Sequence, residues 1–196
     1  MARASQIALV GAMTLLIALA VSSCLFSTRD PQQPGHVKGV CTLESPAKWA
    51  VCMKSAVDSQ TSGDYQRSLG DNFIFSPTTA DSLDQNFTGT DVYANWDKNK
   101  ELQVLNLLFS ESTKTVVDFG SLQQLINKNT FVRFKSSYTL TEITVNPADT
   151  TIYKGVAQID ARNVGGNWVV TYWHEVETVP GFSTWGFLRG ILGLRL

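Results

Sequence analysis

Two histidines and three cysteines carry the readiest chemistry in this 196-residue chain, so their surroundings decide what is open to it. His174 stands in the run Trp168, Val170, Tyr172, His174, Val176, whose alternate residues fall on one face of a strand. If that face turns inward, an imidazole among apolar groups keeps its neutral form and can serve as a general base. Asp71 is the carboxylate able to play the same part. The opposite face of the run carries Thr171, Trp173, Glu175 and Glu177, and a twisted strand allows either face to be the inner one. No second ionisable residue stands at a recognisable fixed spacing from His174, so a small isomerase or lyase using His174 or Asp71 is the alternative reading. The leading one is a concave mouth lined by aromatics. Tyr65, Trp96, Tyr172 and His174 are its candidate lining, with Tyr172 or His174 as the polar group that orients a ligand.

The cysteines speak to address. Arg3 precedes Ile7 to Val21, a run of apolar or small side chains, and Val21-Ser22-Ser23-Cys24 follows at once. This is the order of a secretory signal peptide over residues 1–23. The four residues ending in Cys24 resemble a bacterial lipobox, with Val21 and Ser23 where leucine and glycine or alanine are usual. The resemblance implies acylation of Cys24, and several acyl chains at about 0.8 kcal/mol per buried methylene hold a protein to a bilayer. Leu25, rather than aspartate, follows the cysteine; in a host with two membranes this implies sorting to the outer one, facing the periplasm or the cell surface. Residues 24–42 are rich in proline, glycine and polar side chains and read as a tether, in which His36 is a solvated side chain. With Cys24 taken by lipid, Cys41 and Cys52 remain in an oxidising compartment, and a disulfide between them is expected.

Composition narrows the partners. Sixteen Lys and Arg against 17 Asp and Glu leave a formal charge of -1, which argues against nucleic acid. The scattered Cys and His lack the paired spacing of a zinc cage, and no metal site is expected. No glycine-rich loop between strand and helix suggests a phosphate cradle, and no cofactor is expected; Gly165-Gly166 reads as a hairpin turn. Asn86-Phe87-Thr88 fits a glycosylation sequon, a tripeptide frequent by chance.

These residues need elements to hold them. Ser45-Pro46 opens a helix whose Trp49, Cys52, Met53, Ala56 and Val57 recur at helical spacing, and which ends near Gly63. A shorter helix spans Asp64 to Leu69, then Phe73 to Phe75 forms a strand. Asp91 caps a third helix carrying Val92, Tyr93, Trp96, Leu102, Leu105, Leu108 and Phe109. From Phe131 the period changes to two, over Phe131–Tyr138, Thr151–Ala161 and Trp168–Val176, and a last strand is expected over Ser183–Gly190. The expected fold over residues 43–196 is α+β, with N-terminal helices packed on a curved antiparallel sheet. The chain's apolar ending suggests a sheet edge or a homodimer seam.

The segments DYQRSLGDNFIFSP, NWDKNKELQVLNLLFS, GGNWVVTYWHEVET and STWGFLRGIL together resemble the nuclear transport factor two-like superfamily, also called the SnoaL-like or cystatin-like cone, and within it bacterial exported lipoproteins. The resemblance runs from about Leu43 to the C-terminus and rests on structural motifs. It implies a sheet wrapped around helices into a cone with an open mouth, a shape that serves isomerases, dehydratases, epoxide hydrolases and pure binding domains alike. The expectation is a lipid-anchored extracytoplasmic module that binds a small apolar ligand or a protein partner.

Overall fold

The computed structural model describes residues 41–146 and 148–196. The leader, Cys24, His36 and the tether through Val40 lie outside the described residues. Helix α1 (Lys48–Asp58) and helix α2 (Ser62–Ser68) lead into strand β1 (Leu69–Ser76). A short helix α3 (Thr79–Ser82) and a 3-10 turn (Gln85–Phe87) follow, then helix α4 (Lys98–Glu111). Strands β2 (Lys114–Phe119), β3 (Gln123–Lys128), β4 (Phe131–Ile143), β5 (Thr150–Val164) and β6 (Asn167–Thr178) come next, and helix α5 (Trp185–Gly193) closes the chain. The fold is α+β, with helices packed on one face of a six-stranded sheet of order β1-β6-β5-β4-β2. β3 shares β4 with β2, each pairing with a different stretch of it. All pairings are antiparallel except that of β1 with β6, so the sheet is mixed.

α1 buries Trp49, Cys52, Met53, Ala56 and Val57, one stripe of an amphipathic helix. It begins at Lys48, after a turn in which the Ser45 carbonyl accepts from the Lys48 N–H (3.1 Å), rather than at Ser45. Asp91 does not cap a helix. Asn95 takes a left-handed backbone (φ 52°), which interrupts any helix there, and Asp97 caps α4 by accepting from the Lys100 N–H at 2.9 Å. Between β5 and β6, Gly165 and Gly166 both have positive φ (59° and 91°), as a two-residue hairpin turn requires.

The expected last strand is instead helix α5. Thr184 caps it, accepting from the Phe187 N–H at 2.8 Å. Gly186, Gly190 and Gly193 let it sink into the interior: a Cβ on Gly190 would collide with the Tyr93 hydroxyl and the Phe87 ring. The apolar ending is therefore a helix rather than a sheet edge, with Leu188 and Leu192 buried.

Cys41 and Cys52 are joined in a disulfide with Cα atoms 5.4 Å apart, tying the start of the described chain to α1. Nearby, the Leu43 carbonyl accepts from the Trp168 N–H (2.7 Å), which lays this start along the first residues of β6. A bridge closing so short a loop contributes about 3 kcal/mol in the chain-entropy model. Thiol titration of the unfolded, unreduced chain is expected to find neither Cys41 nor Cys52 reactive. Two titrating thiols would count against the bridge, and a variant with Cys41→Ser should lose roughly that stability.

Candidate functional site

Helix α5 brings Arg189 into the space between helices and sheet, where it is wholly buried. Its guanidinium meets Glu101 of α4 in a forked contact, Nε to Oε2 at 3.0 Å and Nη2 to Oε1 at 2.8 Å. A longer contact, 3.4 Å, runs from Nη1 to Oε1 of Glu175 on β6. Three rings enclose the cation, with Phe75, Trp173 and Trp185 centred 4.5, 4.9 and 4.3 Å away.

Aromatic donors complete both carboxylates. Tyr65 Oη donates to Glu101 at 2.6 Å and the Trp96 indole N–H at 2.8 Å. Tyr138 Oη donates to Glu175 at 2.7 Å and the Trp173 indole N–H at 3.0 Å. Tyr138 Oη also accepts from the Trp185 N–H at 2.9 Å, so α5 is pinned at its first residue too. Burial pushes the Glu175 carboxyl up to about 7, against the opposing pull of Arg189 and of the Tyr138 and Trp173 hydrogen bonds. Burial likewise drives the Tyr65 and Tyr138 hydroxyls far above their usual range, so both remain donors.

The orientation of β6 follows from one extra residue. Trp168 and Val170 face inward, but so do Trp173 and Glu175, a change of parity within one strand. The register explains it: Ala161 pairs with Val170 and Asp160 with Tyr172, leaving Thr171 as a bulge. Tyr172 and His174 are thereby turned to the outer face, half-buried, with ring centroids 5.9 Å apart.

The four residues expected to line one pocket do not converge. Tyr65 and Trp96 are fully interior and point their polar atoms at Glu101, while Tyr172 and His174 lie across the sheet on its other face. Nor are Asp71 and His174 brought together. Ser76 is the residue beside His174, whereas Asp71 lies toward the other end of β1, fully exposed and paired with Lys98 at 3.0 Å. Among the described residues no group of three or more His, Cys, Asp or Glu is placed to hold a metal ion. Glu101, Glu175, Arg189 and Tyr138 were not singled out from the sequence. The available signals were a carboxylate four and seven residues before Leu105 and Leu108 on the α4 stripe, and a lone arginine inside an apolar run.

A concave recess does remain at the rim, where β2 ends. There a groove of about 300 Å³ opens between Phe119 and Gly120, Tyr138 on β4, Lys154 and Gly155 on β5, and Val179 beyond β6. Tyr138, only 3% exposed, lies beneath it, its ring packed against Trp173 and Trp185. Gly155 lies across from Tyr138 in the β4–β5 register, and a Cβ there would stand 2.5 Å from the Tyr138 hydroxyl. Glycine is thus needed for the strand and the Tyr138 ring to pack.

No family model matches the chain, and no curated protein does either. Solved structures do. A candidate scytalone dehydratase of Novosphingobium aromaticivorans superposes with TM-score 0.54 at 11% identity, covering 68% of this chain and 81% of that one. The β subunit of a candidate aromatic-ring-hydroxylating dioxygenase from the same organism gives TM-score 0.54 at 12% identity over 74% of this chain and 94% of that one. A Mycobacterium tuberculosis protein of unknown function gives 0.53 at 9% identity over 76% and 83%. At these identities the likeness is one of fold: the chain has the nuclear transport factor two-like cone.

Proposed function

We propose that this chain is a lipid-anchored extracytoplasmic binding module whose recognition surface is the groove at the rim of the cone. One observation carries the reading: the two interior carboxylates, Glu101 and Glu175, are matched to interior donors. Glu101 accepts from Tyr65, Trp96 and Arg189, and Glu175 from Tyr138, Trp173 and Arg189. A general base needs a lone pair aimed at a reacting proton, and these carboxylates direct theirs at protein donors. The same cone in other chains carries the names of a dehydratase and of a dioxygenase subunit, so the shape by itself selects no reaction. The groove, by contrast, offers solvent the half-buried Phe119 and one cation, Lys154.

The anchor is the second part of the proposal and rests on the order of Arg3, the apolar run and Val21-Ser22-Ser23-Cys24. Cys24→Ser should leave an unprocessed or released protein. Equal membrane retention and equal mass in the variant would overturn acylation. The binding reading is tested by native mass spectrometry of the mature protein purified from its own host, followed by incubation with whatever small molecule it carries. A bound molecule that stays chemically unchanged supports binding. Turnover by the wild type, lost in His174→Ala or Asp71→Asn, would replace it with the isomerase or lyase alternative.

A further inference from the structure

Building on the groove as the binding site, we infer that it selects a small planar anion, an aromatic carboxylate being the simplest case, with Lys154 as the counter-charge. Charge is the first reason. Lys154 Nζ sits 4.0 Å from the centre of the Phe182 ring, and among the described residues no carboxylate pairs with it. An ammonium held over a ring face retains most of its capacity for an anion. The one acid at the groove, Asp118, is turned to Lys54 at 2.8 Å, a lysine it shares with Asp58 at 2.9 Å. Lys154 is therefore the one cation among the groove's lining residues, and among the described residues its charge has no carboxylate partner.

Shape is the second reason. Gly120 and Gly155 leave two positions of the wall without side chains, and the half-buried ring of Phe119 stands beside them over the buried Tyr138. A slot of about 300 Å³ is at the small end for ligand sites and suits one ring rather than a fused system. Hydrogen bonding is the third. The Tyr138 hydroxyl donates its one proton to Glu175 and accepts from Trp185, so it has no proton left to give an anion. Discrimination by polarity thus falls to Lys154, with the Ser137 and Thr139 hydroxyls at the edge.

The test uses the mature chain from residue 24, carrying Cys24→Ser, with three matched probes: benzoate, benzamide and benzylamine. Amide resonances of Gly120, Gly155 and Val179 are followed by NMR during titration. Benzoate should bind about tenfold more tightly than benzamide, the difference shrinking in high salt, and benzylamine should not bind. Lys154→Gln should bring benzoate to the benzamide level while leaving the spectrum of the core unchanged. Gly120→Val, whose Cβ would force the Ser137 hydroxyl to turn aside and whose methyls would fill the groove, should weaken both probes together. Benzamide equalling benzoate, or Lys154→Gln leaving benzoate unaffected, would overturn the anion inference and leave the groove as a binding site. If no probe shifts the groove resonances, both the inference and the groove reading fall.

Discussion

Replacing Arg189 with methionine is expected to destabilise the fold by about 3 to 5 kcal/mol, a large share of the stability of a domain this size. Methionine fills similar volume and keeps α5 apolar, so the loss comes from charge. Without the guanidinium, Glu101 and Glu175 are two buried carboxylates facing each other across the same space, both almost inaccessible to water. The melting temperature should fall by roughly 10 °C or more, read by circular dichroism. Arg189→Lys should recover little, because an ammonium cannot supply the fork that meets both Glu101 oxygens. A variant with Glu101→Leu, Glu175→Leu and Arg189→Met together tests the cause. It should regain much of the loss, since removing a whole buried ionic set is far less costly than removing one member. If Arg189→Met alone melts within about 2 °C of the wild type, the network contributes little and the interior is wetter than described.

Stability should also depend on pH through Glu175, and the sign follows from its burial. Its folded-state value of about 7 lies above the ordinary 4.5, so between these two pH values the native protein holds a proton that the unfolded chain has released. Stability from this group is fully present below about pH 4.5 and is lost as pH rises through 7, a contribution of about 3 kcal/mol. Glu175→Gln should remove that slope, because glutamine keeps the size and an acceptor for Trp173 without titrating. Urea denaturation of both proteins at pH 5 and pH 8 gives the comparison. Glu175→Gln should match the wild type within about 1 kcal/mol at pH 5 and exceed it at pH 8. A wild type whose stability difference from the variant is the same at both pH values would show that Arg189 keeps Glu175 ionised throughout.

Local pattern revealed some of this molecule and concealed the rest for definable reasons. The α1 stripe from Trp49 to Val57, the hairpin at Gly165-Gly166 and the change of period near Phe131 are all short-range signals, and each has its element. Helix α5 was hidden because it is apolar nearly all round. A helix buried on most sides shows no stripe, and Trp, Phe and Ile suggest a strand. Thr184 before it and glycines at 186, 190 and 193 were the overlooked helical signs. Strand β3 carries Gln123, Gln124, Asn127 and Lys128 and is almost wholly exposed, so it has no alternation to read. For β6, alternation itself misled, because the bulge at Thr171 exchanges the two faces halfway along. The interior network is the least legible part. Arg189 and Glu101 are 88 residues apart in sequence, and a buried charge makes sense only when its partners from other elements are in view.

The contact between Leu43 and Trp168 also fixes where the described chain meets the sheet. The chain enters beside the first residues of β6, whereas Val179 and the groove lie just past the last. β6 is 12 residues long, so entry point and groove stand roughly 35 Å apart, at opposite poles of the sheet. A molecule entering the groove is therefore remote from the disulfide-tied start of the described chain.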